Sequence, residues 1–222
     1  MRVSSSKENY LKAIYHLQEA EGNVTTNALA RELSTRAASV TDMLKKLKEQ
    51  KLLIYEKYQG VRLSAEGRRL AIQTIRKHRL WEYFLVEKLE FGWEEVHEVA
   101  EELEHISSKK LVDKLEEFLG FPTIDPHGDP IPDINGKFAQ HKNINLLELA
   151  NETLAVITNI SDQSPEMLDL LKHKSLTLGT RVQITKRFSF DNSIELKLKN
   201  NTSVNVSETV AKNVFVRYDV QD

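Results

Sequence analysis

The sequence predicts a mainly α-helical chain that ends in a small β domain, and three observations predict it. Apolar residues recur at helical spacing through most of residues 1–105, and short alternating runs between turn residues take over from about residue 152. Positive charge gathers at one end: residues 1–80 hold 16 Lys/Arg against 8 Asp/Glu, whereas residues 81–222 hold 15 against 25. Histidine and glutamate gather in the acidic middle, at His78, Glu82, His97, Glu101, Glu104 and His105.

Composition narrows the classes. The chain of 222 residues has no cysteine, which excludes a disulfide framework, a thiolate nucleophile and a zinc ribbon and fits a reducing cytoplasm. No run approaches the roughly 20 apolar residues of a membrane span, and the polar start at Met1–Tyr10 does not read as a signal peptide. A basic segment fused to an acidic one points to a polyanion-binding module joined to a part that attracts cations or partners; clustering on solvated faces gives the same totals.

From the N-terminus, Ser6–Glu19 reads as an amphipathic helix carrying Tyr10, Leu11, Ile14, Tyr15 and Leu17, and Gly22-Asn23 breaks it. Thr25 and Thr26 cap a short second helix that ends near Leu33. A third runs from Ala37 to Gln50 with Val40, Met43, Leu44 and Leu47 inward and Ser39, Thr41, Asp42, Lys45, Lys46 and Lys48 outward. This is helix-turn-helix grammar. Two β-prone runs follow, Leu52–Tyr55 and Val61–Leu63, around a turn at Tyr58-Gln59-Gly60, which makes the module a winged helix.

The chemistry of that module suits DNA. Small polar side chains at the start of a recognition helix can approach base edges, and surrounding cations neutralise phosphates. Arg36, Ser39 and Thr41 are the candidate base readers; Lys45, Lys46, Lys48, Lys57 and Arg62 are the candidate phosphate partners. Winged helices also serve as protein-interaction modules, so the charge surplus is what favours nucleic acid.

In the acidic centre, Glu66–Lys88 reads as one long helix with His78 and Glu82 a turn apart on one face. After Gly92 a second helix carries His97, Glu101, Glu104 and His105, which fall within about 100° of one another at helical spacing. Two imidazoles and two carboxylates on one face are costly unless the face meets water or a cation neutralises it. An all-nitrogen and oxygen donor set suits Mn²⁺ or Fe²⁺, with Zn²⁺ and Co²⁺ able to bind in vitro. Beyond Asn135–Leu147, which reads as a linker, five short strands are expected at Thr153–Ile160, Leu178–Ile184, Ile194–Leu198, Val204–Val206 and Val214–Arg217. With a helix at Pro165–Lys172 they would form a small barrel.

Three segments in order carry a resemblance: Lys7-Glu8-Asn9-Tyr10-Leu11-Lys12-Ala13-Ile14-Tyr15, Arg76-Lys77-His78-Arg79-Leu80, and His97-Glu98-Val99-Ala100-Glu101-Glu102-Leu103-Glu104-His105. Together they resemble the diphtheria toxin repressor family, closest to its manganese transport regulators, over about residues 5–135. The resemblance implies an N-terminal winged helix-turn-helix over residues 1–72 and a helical dimerisation and metal-binding domain over 73–140. It implies a linker at 141–150 and an SH3-like β-barrel over 151–222. It places a primary metal site on Glu101, Glu104 and His105 with Asn9, or adjacent Glu8, from the first helix. A second site falls on His78, Glu82 and His97, with Asp125 and His127 as further ligands of a streptococcal-type subgroup and Asp162 within reach by position. Asn9 replaces the family's usual Asp or Met, and Lys12 stands where binuclear members have a carboxylate, which favours two separated sites.

The implied function is a cytoplasmic, homodimeric, manganese-activated repressor of metal-homeostasis genes on palindromic operators, with no membrane and no small organic substrate among its partners. An iron effector is the nearest alternative. A hydrolytic metal centre is another, although no residue outside the ligand set stands out as a general base. A winged helix answering to a small molecule, its acidic face merely solvated, is a third.

Overall fold

The computed structural model describes residues 3–56, 60–139 and 142–219, which fall into two units. The first unit draws on Met1–Trp81, Glu101–Phe121 and Pro132–Phe138; the second draws on Glu82–Ala100, Pro122–Ile131 and Ala139–Asp222.

In the first unit, α1 (Ser5–Glu21) ends where Gly22 turns left-handed at φ 72° and its N–H bonds Gln18 O. α2 (Thr26–Glu32) starts under a Thr25 hydroxyl that accepts from Ala28 N, and α3 (Ala37–Glu49) starts after Arg36. Val40, Leu44 and Leu47 of α3 are buried, and with Leu11, Ile14 and Leu29 they build one apolar core. β1 (Leu53–Glu56) and β2 (Gly60–Leu63) pair antiparallel as the wing, and Val24 bridges to Gly60 and Val61 at its base. α4 (Ala65–Leu89) contributes Ala71, Ile72 and Ile75 to the same core. A part-buried pair of Arg76 and Glu116, at 2.5 Å, ties α4 to α6 (Lys109–Phe118).

Where α5 (Val96–Leu103) stops corrects an expectation. Glu104 and His105 lie in the turn after it and not on one helical face with His97 and Glu101. Ile106 N bonds Leu103 O, closing that turn, and Ser108 then caps α6.

The second unit holds six antiparallel strands in the order β3-β8-β4-β5-β6-β7, one more than expected. They are β3 (Ile144–Asn145), β4 (Leu154–Ile160), β5 (Arg181–Arg187), β6 (Ile194–Leu198), β7 (Ser203–Val206) and β8 (Val214–Tyr218). α7 (Pro165–His173) and α8 (Glu208–Asn213) pack Leu168, Leu171, Val210 and Ala211 into the core with Ile157, Ile184 and Val216. The stretch expected as a linker is part of this core: β3 pairs with β8, and Leu146 and Leu149 are buried. β4 carries an irregularity against β8 between Ile157 and Asn159. Bulges of this kind re-aim neighbouring groups, and this one lies against the loop that carries Asp125 and His127.

Candidate metal centres

The first unit collects one cluster. His78 comes from α4, Glu101 from α5, Glu104 and His105 from the following turn, and Glu8 and Lys12 from α1. Glu104 is fully buried. Its Oε2 accepts from Lys12 Nζ at 2.8 Å and lies 2.7 Å from His78 Nδ1. An isolated buried carboxylate would cost several kcal/mol. Burial works against its ionisation, yet His78 and Lys12 outweigh burial and hold the carboxyl below its ordinary value.

The other half of the cluster suits a metal. His105 Nδ1 is 2.7 Å from Glu8 Oε2, and a carboxylate oxygen there selects an Nδ1–H tautomer that leaves the Nε2 lone pair for a ligand. Nε2 lies 3.8 Å from Glu104 Oε1, which is buried without a hydrogen-bond partner among the described residues. Two donors on one ion at about 2.1 Å sit roughly 3–4 Å apart. Asn9 Oδ1 is also buried without such a partner, but the contact from α1 to His105 is made by Glu8. Glu101 is exposed and reaches Lys12 at 3.4 Å.

The second unit collects Glu82, Asp125 and His127, all buried, each with a donor atom within 4.8 Å of the others. His97 joins them through Nδ1, 3.3 Å from Glu82 Oε1. The fold fixes the proton of His127. Its Nε2 is 2.8 Å from Trp93 O, and since a carbonyl only accepts, Nε2 carries the proton. Nδ1 is then the open nitrogen, 3.7 Å from Glu82 Oε2 and with no hydrogen-bond partner among the described residues. Burial disfavours protonating this ring, but Glu82, then Asp125 and the Trp93 carbonyl, outweigh it and raise its pKa.

The β domain holds that loop in place. Asp125 Oδ1 accepts from the N–H groups of His127 and Asp129, Ile160 N donates to His127 O, and Asn159 and Gln163 donate to Asp129. Gly128 has φ 89°, and a Cβ there would lie 2.0 Å from Thr158 O, so only glycine fits against the bulged strand. Asp162 Oδ1 accepts from Ser164 N and Oγ at the start of α7. Nothing in the sequence pattern marks Trp93, Asn159 or Gln163 as supports, because each acts through position alone. Glu8 stood beside the expected ligand and is legible as its alternative.

The expected DNA-contacting residues Arg36, Ser39, Thr41, Lys45 and Lys46 are all exposed at the start and outer face of α3, and Arg62 is partly buried on β2. Lys45 Nζ lies 3.7 Å from Asp42 in an exposed pair, and Lys57 falls outside the described residues.

Three family models match in series along the chain. The iron-dependent repressor N-terminal DNA-binding domain covers residues 2–61, the iron-dependent repressor metal-binding and dimerisation domain covers 64–133, and the FeoA domain covers 144–218. The diphtheria toxin repressor of Corynebacterium jeikeium is 30% identical over 180 residues, covering 80% of this chain and 75% of that protein. The iron-dependent repressor IdeR of Mycobacterium leprae is 29% identical over 189 residues, covering 80% and 82%. A solved manganese-dependent transcriptional repressor in complex with manganese superposes with a TM-score of 0.87 at 32% identity, covering 96% of this chain and 99% of that one.

Proposed function

The chain belongs to the diphtheria toxin repressor family of metal-dependent DNA-binding transcriptional repressors, and from that premise we propose that its effector is Mn²⁺. It is a repressor and not an enzyme. The observation that carries the manganese reading is the donor set of the second unit: two buried carboxylates and a buried imidazole with its proton fixed on the far nitrogen. Oxygen and nitrogen donors without a thiolate leave Mn²⁺ competitive against softer ions. The likeness to a manganese-bound repressor over nearly the whole chain supports the same choice. Iron keeps one observation on its side, the relatives named as iron-dependent.

In this reading Glu82, His97, Asp125 and His127 form one centre. Glu104 and His105, with Glu8 or Asn9 from α1, form the other, and His78 and Glu101 flank Glu104. When bound, the metal supplies a divalent charge that holds ligand groups from different elements together. The chain's own part is to aim the donors and to bring α1, the first helix of the DNA-binding module, against the α5–α6 turn. The protein acts in the cytoplasm as a homodimer that presents two recognition helices α3 to a palindromic operator, where it controls metal-homeostasis genes. Arg36, Ser39 and Thr41 read bases; Lys45, Lys46, Lys57 and Arg62 hold phosphates.

The test is operator binding by the metal-stripped protein with Mn²⁺, Fe²⁺ and Zn²⁺ restored separately without oxygen. Mn²⁺ should activate at the lowest free concentration that still distinguishes Glu104→Ala, which should bind operator no better with metal than without it. Activation by Fe²⁺ alone would replace manganese with iron, and an unaltered Glu104→Ala would remove the first centre.

A further inference from the structure

The first cluster already contains a cation. Lys12 Nζ donates to Glu104 Oε2 at 2.8 Å and reaches Glu101 Oε1 at 3.4 Å. The Lys12 side chain is 14% exposed and that of Glu104 0%, so water screens this pair far less than a surface ion pair. We propose that the Lys12 ammonium is the resident counter-ion of this centre, and that a divalent metal must enter against it, so that Lys12 sets the concentration at which the centre fills. The proposal rests on reading the Glu104–His105 cluster as a metal centre.

Two features of the geometry support it. Glu104 divides its oxygens: Oε2 accepts from Lys12 at 2.8 Å and lies 2.7 Å from His78 Nδ1, whereas Oε1 faces His105 Nε2 at 3.8 Å. A metal that takes only Oε1 sits beside a fixed positive charge, and one that takes both oxygens must evict the ammonium. Either way its affinity falls, as it does for any ligand whose site is competent only part of the time. Lys12 also comes from α1 and Glu104 from the turn after α5, so the lysine spans the same two elements as Glu8 and His105. The metal-free chain thereby counters the charge of its buried carboxylate from within and keeps α1 in contact with the turn. Lys77, a second lysine of the cluster, pairs with Glu8 Oε1 at 3.3 Å and not with Glu104 among its described contacts.

The test uses the full-length protein with His127→Gln to silence the second centre, and compares it with the same protein carrying Lys12→Met or Lys77→Met. Mn²⁺ affinity and thermal melting, with and without Mn²⁺, are measured. Lys12→Met should bind Mn²⁺ about tenfold tighter or more. Its metal-free form should melt lower than the parent, and Mn²⁺ should raise its melting temperature by more than it raises the parent's. Lys77→Met removes the same charge from the same cluster and should gain clearly less affinity. If Lys12→Met does not fold without metal, Mn²⁺ should fold it. Unchanged or weaker Mn²⁺ binding by Lys12→Met, an equal gain in Lys77→Met, or a Lys12→Met chain that stays unfolded with Mn²⁺ would overturn the proposal. Mn²⁺ bound equally by parent and Lys12→Met removes the role of Lys12 alone; Mn²⁺ bound by neither removes the metal centre as well.

Discussion

A buried imidazole beside carboxylates offers one lone pair to either a proton or a metal, and in the proposed second centre His127 is where the two would compete. Glu82 and Asp125 raise its pKa above the ordinary 6.5 in spite of burial. A group whose folded pKa is raised contributes stability that is fully present below its unfolded pKa and is lost as pH rises through the folded one. The metal runs the other way, because Nδ1 must be deprotonated to ligate. In a Glu104→Gln protein, where only the second centre reports, Mn²⁺ affinity should therefore climb as pH passes from about 6 to about 8, with close to one proton released per ion. Over the same window the metal-free protein should lose the His127 contribution to its stability. Calorimetric titrations in buffers of different ionisation enthalpy count the proton directly. A Mn²⁺ affinity that stays flat across that window would mean that His127 is not a ligand.

In the proposed reading, helix α3 divides its work by position. Arg36 precedes its first residue and Ser39 lies on its first turn, the part of a recognition helix that approaches base edges, while Lys45 and Lys46 lie further along its exposed face. Each lysine that neutralises a phosphate releases counter-ions, so Lys45→Ala should lower the slope of log affinity against log salt by about one and weaken all sequences alike. Arg36→Ala should instead flatten the preference among operator variants. Binding isotherms at several salt concentrations separate the two, and an unchanged slope for Lys45→Ala would place the DNA elsewhere. Elements such as α3 were legible in the sequence because capping and a 3.6-residue period state them outright: Thr25 caps α2, and Val40, Leu44 and Leu47 fall where the period puts them. The acidic helix was misread for a related reason. Glu104 and His105 continue the period of α5 in sequence, and no proline or glycine marks that the helix ends at Leu103. β3 has two residues and α8 six, too short for a period to register, so Leu146 and Leu149 looked like linker although they are core. The candidate ligands are chemical residue types that a sequence displays; their supports are not, because the Trp93 carbonyl and the fit of Gly128 against Thr158 exist only in the fold.

Along the sequence, a basic N-terminal part that carries the DNA-binding domain is joined to an acidic remainder that supplies most of the proposed metal donors, and a metal-dependent repressor has to couple the two. In the first unit the coupling has a short physical route. Glu8 and Lys12 belong to α1, whose Leu11 and Ile14 are buried in the core that also holds Leu44 and Leu47 of α3, and the same two polar residues touch His105 and Glu104. A cation that draws His105 and Glu104 together therefore acts on the helix against which the recognition helix is packed. Metal can favour the operator-binding arrangement only by the difference in its affinity for the two arrangements. Linkage then requires reciprocity: whatever factor Mn²⁺ adds to operator affinity, operator must add to Mn²⁺ affinity, typically about 5–150-fold. Mn²⁺ titrations of the protein alone and of the protein saturated with operator should thus differ by the factor that separates operator binding with and without Mn²⁺. Glu104→Ala should shrink both factors together, since it removes a donor from the shared element. Were operator to leave Mn²⁺ affinity unchanged while Mn²⁺ still enhanced operator binding, the enhancement would come from something other than an ion bound to this chain, such as Mn²⁺ acting on the DNA, and the repressor would have no metal switch of its own.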